Sequence, residues 1–350
     1  MESRQIDLLN LGLIVLSLLA AFALPFQVFL FSYAVLGPLH YITEINWLDE
    51  RKYFSQSRYT PWVLGSIVLL ACLFTFYREG ERQVLFAGFT QVIDAVVARG
   101  VIVFATQNFA HFMFFAFVAA VALTAFKDKW YRGMVVLMGL GIAMLFHGNA
   151  TYKLLIGTML PTILHVSIFT GLFMLYGAMK SNSRPGFAAV GLFILAQLLI
   201  FYFPITPEHY FLAPPGNTND TMTQSGFNNI LGQIGGFFGK AGQGSAFVLN
   251  SELGVRLGIY FAFIYTYHYL NWFSKTSIIG WHKVPKKKLI GGLVIWIASM
   301  ALYAYNYRLG LLALLFLSLM HVVLEFPLNY LSVRGILAGG IGHPGKMGEH

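Results

Sequence analysis

Two histidines in this chain are each followed by a glutamate four residues later, inside otherwise apolar sequence. The first pair, His40 and Glu44, lies in "GPLHYITE", and the second pair, His321 and Glu325, lies in "LMHVVLEF". Residues four apart share one face of an α-helix, and a carboxylate at membrane depth costs several kcal/mol unless it is paired or neutralised. Each pair can therefore supply two metal ligands, or one imidazole ligand and the carboxylate that orients it. We expect Glu44 and Glu325 to take part in catalysis.

Three more histidines lie in apolar segments: His111 in "TQNFAHFMFF", His165 in "LPTILHVSIF" and His268 in "YTYHYLNWF". Imidazole is the commonest metal ligand in proteins. Several neutral nitrogens with few carboxylates suit iron, copper or zinc, and do not suit magnesium or calcium. The predicted metal ligands are therefore His40, His111, His165, His268 and His321. An interhelical hydrogen bond is an equal alternative for His165 and the expected role of His147.

The composition indicates that these residues lie in a membrane protein. Of the 350 residues, 57% are hydrophobic and only 11% are charged, with a mean hydropathy of +0.67. A soluble domain carries roughly a quarter charged residues. The single cysteine, Cys72, excludes an internal disulfide and a CxxC metal site.

The apolar segments predict an all-α, polytopic transmembrane helix bundle. A span needs about 20 apolar residues, and ten segments meet this requirement, with eight as the lower bound of the span count. The segments are 8–24, 26–48, 61–77, 101–126, 133–150, 154–179, 187–204, 253–274, 289–307 and 309–331. We expect them to form a single integral membrane domain over residues 1–350.

Basic residues predict the orientation of the spans. With ten spans both termini lie on one side, and 16 of the 23 Lys and Arg residues fall there. They are Arg4, Arg51, Lys52, Arg58, Lys127, Lys129, Arg132, Lys180, Arg184, Lys275, Lys283, Lys286, Lys287, Lys288, Arg334 and Lys346. The positive-inside rule makes that side cytoplasmic. Residues 332–350 are then a cytoplasmic tail, residues 205–252 an extracytoplasmic loop, and the expected location is the bacterial cytoplasmic membrane.

Four stretches resemble the bacteriorhodopsin-related-protein and β-carotene dioxygenase-like family of integral membrane proteins. They are "GPLHYITE", "NFAHFMFF", "FIYTYHYLNWF" and "LMHVVLEF". The resemblance implies a non-haem iron centre, with carotenoid cleavage as the family's chemistry. The family's late helix carries two histidines four residues apart, whereas Ile264 and Trp272 flank His268 at that spacing. His165 or His321 would then complete the ligand set.

The leading hypothesis is a membrane-embedded non-haem metal oxygenase or oxidase. It would act with dioxygen on a lipophilic substrate, such as a carotenoid, an isoprenoid or an acyl chain, taken up from the membrane lipids. The alternative is a proton- or cation-coupled transporter that uses the intramembrane His/Glu pairs. A haem-binding electron carrier would employ two histidines and leave the glutamates unexplained. No nucleic-acid partner is expected, because basic residues at cytoplasmic span ends explain the net charge of +9.

Overall fold

The fold is known from a computed structural model, which describes residues 3–51, 59–80, 87–211, 215–237, 249, 251–275 and 284–339. Regular secondary structure within these residues is helical throughout, which confirms the all-α prediction. The α-helices are α1 (Ser3–Ala23), α2 (Pro25–Phe31), α3 (Gly37–Arg51), α4 (Thr60–Gly80), α5 (Ala87–Val96), α6 (Arg99–Gln107), α7 (Phe109–Ala125), α8 (Lys129–Leu145), α9 (Ala150–Leu154), α10 (Thr170–Ser181), α11 (Arg184–Tyr202), α12 (Pro215–Gln224), α13 (Phe227–Phe237), α14 (Glu252–Ser274), α15 (Lys286–Tyr305) and α16 (Tyr307–Leu337). Two π-helical segments, Ser32–Leu36 and Leu155–Phe169, and a 3₁₀ turn at Pro207–Phe211 complete the set.

The chain packs as two compact units. The first comprises residues 1–43, 163–310 and 328–350. Its innermost helix is α14, which packs against α1, α2, α11 and α13 and buries most of its side chains. Helix α11 also packs against α1 and α10.

The second unit comprises residues 44–162 and 311–327. Within it, α7 packs against α4, α8 and α9, and α4 also contacts α5 and α6. The buried face of α7 is rich in alanine, including Ala116, Ala119 and Ala120. Small residues of this kind let the backbones of membrane helices approach one another closely.

Most of the predicted spans coincide with long apolar helices. Among the described residues, seven helices are long and apolar enough to cross a membrane, and there are eight if the bent pair α6 and α7 forms one span. The two remaining predicted segments are also helical: 133–150 falls largely on α8, which has 17 residues, and 253–274 matches α14, which has 23. The count of about ten spans and the cytoplasmic termini remain predictions.

The predicted loop and tail are partly helical. Residues 205–252 contain α12 and α13, and α13 buries Phe227, Leu231 and Ile234 while packing against α14. Residues 212–214, 238–248 and 250 of that loop lie outside the described residues. At the other end, α16 continues to Leu337, and residues 340–350 of the predicted tail also lie outside them.

The π-helical segment Ser32–Leu36 precedes the first predicted ligand and has an identifiable cause. Pro38 has no backbone N–H and so cannot continue an α-helical hydrogen-bond ladder. The N–H of Gly37 instead donates to the carbonyl five residues back, and the carbonyl of Val35 accepts a hydrogen bond of 2.8 Å from the Trp296 indole. A side chain from α15 thus bonds to the backbone of this segment.

Candidate metal centre

Polar side chains of α14 pair with those of the segment between residues 32 and 43. The four pairs, all within the first unit, are Ser32–Thr266 at 2.7 Å, His40–His268 at 3.0 Å, Tyr41–Tyr269 at 3.0 Å and Thr43–Trp272 at 3.0 Å. On α14 three of these partners recur every third residue, which places them along one side of the helix. This face of α14 therefore positions the two histidines against each other.

The central pair brings two ring nitrogens together. Nε2 of His40 lies 3.0 Å from Nε2 of His268, and Nδ1 of His268 lies 2.7 Å from Oγ1 of Thr170. If the Nδ1–H of His268 donates to Thr170, its Nε2 carries a lone pair directed at His40. An N–H at Nε2 of His40 can then donate a hydrogen bond to Nε2 of His268. Alternatively, a metal cation can replace this proton and bind the lone pairs of both nitrogens. The His268–Thr170 contact has the form of the second hydrogen bond that usually orients a metal-bound histidine.

The separation of the two nitrogens suits adjacent ligands of one metal ion. Nitrogen ligands lie about 2.1 Å from zinc and similar metals, so two of them 3.0 Å apart subtend roughly 90° at the ion. The two nitrogens are thus close enough to bind one metal ion together.

A third histidine joins this pair. One ring nitrogen from each of His40, His268 and His321 lies within 4.8 Å of the other two, and all three side chains are buried. The predicted histidine cluster is thus present for these three residues. Glu44 and Glu325, each only 3% exposed, follow His40 and His321 on α3 and α16, four residues further along. Their roles, and the binding of a metal, remain predictions.

His165 lies next to the same centre. Its ring centroid is 5.0 Å from that of His268, and its side chain is 1% exposed. It belongs to the π-helical segment Leu155–Phe169, which contains Pro161. In a π-helix the hydrogen bonds join residues five apart, so His165 and Thr170 can both approach His268. An α-helical count would place residue i+5 on another face, which explains why the sequence did not identify Thr170.

Aromatic rings enclose His40. The ring centroids of Tyr269, Trp272 and Tyr41 lie 5.1, 5.5 and 5.9 Å from its imidazole. A Cβ atom on Gly37 would lie only 3.0 Å from the Tyr41 hydroxyl and 3.1 Å from the Tyr269 hydroxyl. Glycine therefore leaves the room in which the two tyrosine hydroxyls bond to each other. Trp272 contributes a ring contact to His40 and a hydrogen bond to Thr43.

His111 has different neighbours, all within the second unit. Its ring centroid lies 5.4 Å from that of His147 and 5.2 Å from that of Tyr152. Among the described residues, the group of three metal-binding side chains does not include it. His147, expected to have a structural role, stacks on Phe104 with a centroid distance of 6.3 Å. The role of His111 as a metal ligand remains a prediction.

Comparison with protein-family models, with curated proteins and with solved structures gives no match to this chain. The resemblance to the β-carotene dioxygenase-like family accordingly stays a prediction, and the geometry of the histidines is the basis for a functional proposal.

Proposed function

We propose that this chain is a membrane-embedded metalloenzyme, an oxygenase or oxidase that acts on a lipophilic substrate. Its metal ion, iron in the first place and copper or zinc as alternatives, would be held by His40, His268 and His321. The observation that carries the proposal is the 3.0 Å separation between the Nε2 atoms of His40 and His268, with a nitrogen of His321 in the same group. Far-separated parts of the chain thereby contribute to one buried set of neutral nitrogen donors.

The chemistry of the donors supports a transition metal. Neutral imidazoles suit iron, copper and zinc, whereas magnesium and calcium prefer oxygen ligands. Bound iron would supply oxidation chemistry with dioxygen. Thr170 would fix the ring orientation of His268 through Nδ1, and Glu44 and Glu325 would provide carboxylates one helical turn from His40 and His321.

The surroundings support a lipophilic substrate. Tyr41, Tyr269 and Trp272 place apolar ring surface around His40, and His40 itself is only 1% exposed. Exclusion of water strengthens electrostatic interactions at a reacting centre and suppresses side reactions. A polyene, an isoprenoid or an acyl chain can enter from the bilayer, while a water-soluble substrate would have to cross the apolar shell.

Metal analysis of the full chain purified in detergent tests the proposal. The wild type is expected to retain about one equivalent of metal, and His40→Ala and His268→Ala to lose most of it, because each removes one of three ligands. His209→Ala is the matched control, since His209 is exposed on the 3₁₀ turn. His268→Asn, a smaller change that keeps a polar group, covers the case in which the alanine variant does not fold.

Dioxygen consumption separates the enzyme from the transporter. The metal-loaded protein is expected to consume dioxygen with a polyene or an unsaturated acyl substrate, and the His268 variants to consume none. A folded wild type that binds no iron, copper or zinc would contradict the proposal. Proton or cation movement in liposomes that depends on His40 would then favour the coupled transporter.

A further inference from the structure

A second group of polar side chains lies at the break between α6 and α7, in the second unit. The two helices bend by 72° relative to each other at the break that contains Asn108. Asn108 precedes the first residue of α7, and its side chain does not cap the helix. Instead, its amide nitrogen donates to the carbonyl of Phe104 at 2.6 Å. The Asn108 side chain therefore offers no acceptor to the first turn of the 17-residue helix α7, and the backbone carbonyl of Asn108 accepts the N–H of His111 at 2.9 Å.

Three buried side chains beside this break have polar atoms that form no hydrogen bond among the described residues. They are Asn108 through Oδ1, His111 through both ring nitrogens and Tyr152 through its hydroxyl. These residues are 1%, 7% and 8% exposed. The backbone carbonyl of Ala143 lies beside the His111 ring as a possible acceptor for one ring N–H. Buried polar groups are normally paired, so several unpaired atoms in one place indicate a missing partner.

The group lies at the rim of its unit. Tyr152 is the third residue of the candidate span Ala150–Ser181, so it lies near one end of that span. Phe146 and His147 are exposed, and the exposed His147 ring covers His111 at a centroid distance of 5.4 Å. The buried His111 thus contacts an exposed side chain near one end of the candidate span.

The charges around the group favour an anion. Lys153 follows Tyr152 and is close enough to interact electrostatically with His111. The N-terminal end of α7 carries the positive end of the helix dipole. The N-terminal ends of interrupted membrane helices commonly face anionic groups of ligands. His111 and Tyr152 can each donate a hydrogen bond to such a group.

We propose that Asn108, His111, Tyr152 and Lys153 form a binding site for the oxyanion head group of a membrane amphiphile, a carboxylate or a phosphate monoester. The acyl chain would extend into the bilayer beside the exposed rings at the rim. Asn108 Oδ1 would accept a hydrogen bond from the Lys153 ammonium or from a protonated head group. This site uses none of His40, His268 and His321, so it stands independently of the proposed metal centre.

Binding of radiolabelled oleate to the full chain in phosphatidylcholine nanodiscs tests the proposal, with empty nanodiscs as the blank. Unlabelled oleate and oleyl phosphate are expected to displace the label, and oleyl alcohol to be at least about tenfold weaker, because charge-assisted hydrogen bonds are roughly twice as strong as neutral ones. Inorganic phosphate should not displace it. Tyr152→Phe should weaken oleate binding by about tenfold through the loss of one donor, and His111→Gln should weaken it too.

Tyr131→Phe is the matched control, because it makes the same change in a tyrosine that is exposed on α8. This variant should bind oleate as the wild type does. If His111→Gln does not fold, oleate binding by Tyr152→Phe tests the proposal, because this substitution removes a single oxygen atom. Equal binding of oleyl alcohol and oleate, displacement by inorganic phosphate, or wild-type affinity in Tyr152→Phe would each overturn the proposal.

Discussion

Replacing Thr170 by valine tests how His268 is oriented for metal binding. Thr170 is 2% exposed, and its Oγ1 lies 2.7 Å from Nδ1 of His268. Valine has nearly the same shape and removes only the hydroxyl. Loss of the group that orients a metal-binding histidine weakens metal affinity by about 10- to 100-fold, or roughly 1.4–2.7 kcal/mol. We expect a weakening of this size in Thr170→Val.

The effect can be separated from a general loss of stability. Metal at about 100 times the wild-type Kd stabilises the folded protein by about 2.7 kcal/mol, and this value falls to about 1.4 kcal/mol if Kd rises tenfold and to about 0.4 kcal/mol if it rises 100-fold. Loss of the hydrogen bond also lowers the folding stability of the metal-free protein. The measurement is therefore the difference between melting with and without metal, supported by Kd values from chelator competition.

Two further variants complete this experiment. Thr170→Ser keeps the hydroxyl and should keep most of the wild-type metal affinity. Thr75→Val is the matched control, because the Thr75 hydroxyl donates to the carbonyl of Ala71 in its own helix, at 3.0 Å. If Thr170→Val binds metal as tightly as the wild type while His268→Ala does not bind it, Thr170 has no orienting role. A loss of equal size in Thr75→Val would likewise refute the reasoning.

Two predictions concern the packing that positions α14. A Cβ atom on Gly258 would lie 2.5 Å from the ring of Phe26, so Gly258→Ala should destabilise the protein by about 1–3 kcal/mol and lower its melting temperature; Gly12→Ala, whose Cβ meets nothing within 4 Å, should melt as the wild type does. Equal melting of the two variants would contradict this packing. Trp296→Phe removes the donor to the carbonyl of Val35 and should cost about 1–3 kcal/mol, with faster amide exchange in residues 32–40. Unchanged exchange there would show that the indole does not close the π-helical turn.

The sequence predicted which segments are helical better than it predicted which helices lie side by side. Long apolar runs require helices in a membrane, so the predicted segments 8–24 and 187–204 match α1 and α11 closely. His40 and His321, which the sequence places in apolar segments, are both buried. Which helices lie side by side is not encoded in hydropathy, because every span is apolar whatever its neighbour. The contacts of His111 with Tyr152, rather than with another predicted ligand, could not be obtained in this way.

π-helical turns also limit how well residue spacing predicts the face of a helix on which a side chain lies. Counting with a period of 3.6 residues assumes an uninterrupted α-helix, and an extra residue in a turn changes the face that the following side chains occupy. Pro38 lies beside one such turn and Pro161 within another. These prolines are the sequence signal that could have indicated the changed register. The prolines alone would not have identified the partner that each rotated side chain contacts.

The polarity of α14 supports the candidate metal centre. This helix has 23 residues, yet it is less apolar than the seven helices that qualify as candidate spans. Nearly every side chain from Gly254 to Asn271 is nonetheless buried. A helix that faces lipid must be apolar, whereas a helix surrounded by other helices can carry polar groups if each finds a partner. Thr266, His268, Tyr269 and Trp272 find theirs within one earlier stretch of the chain. The low hydropathy of α14 is therefore consistent with its interior position, and several of its polar residues pair with the stretch that contains His40.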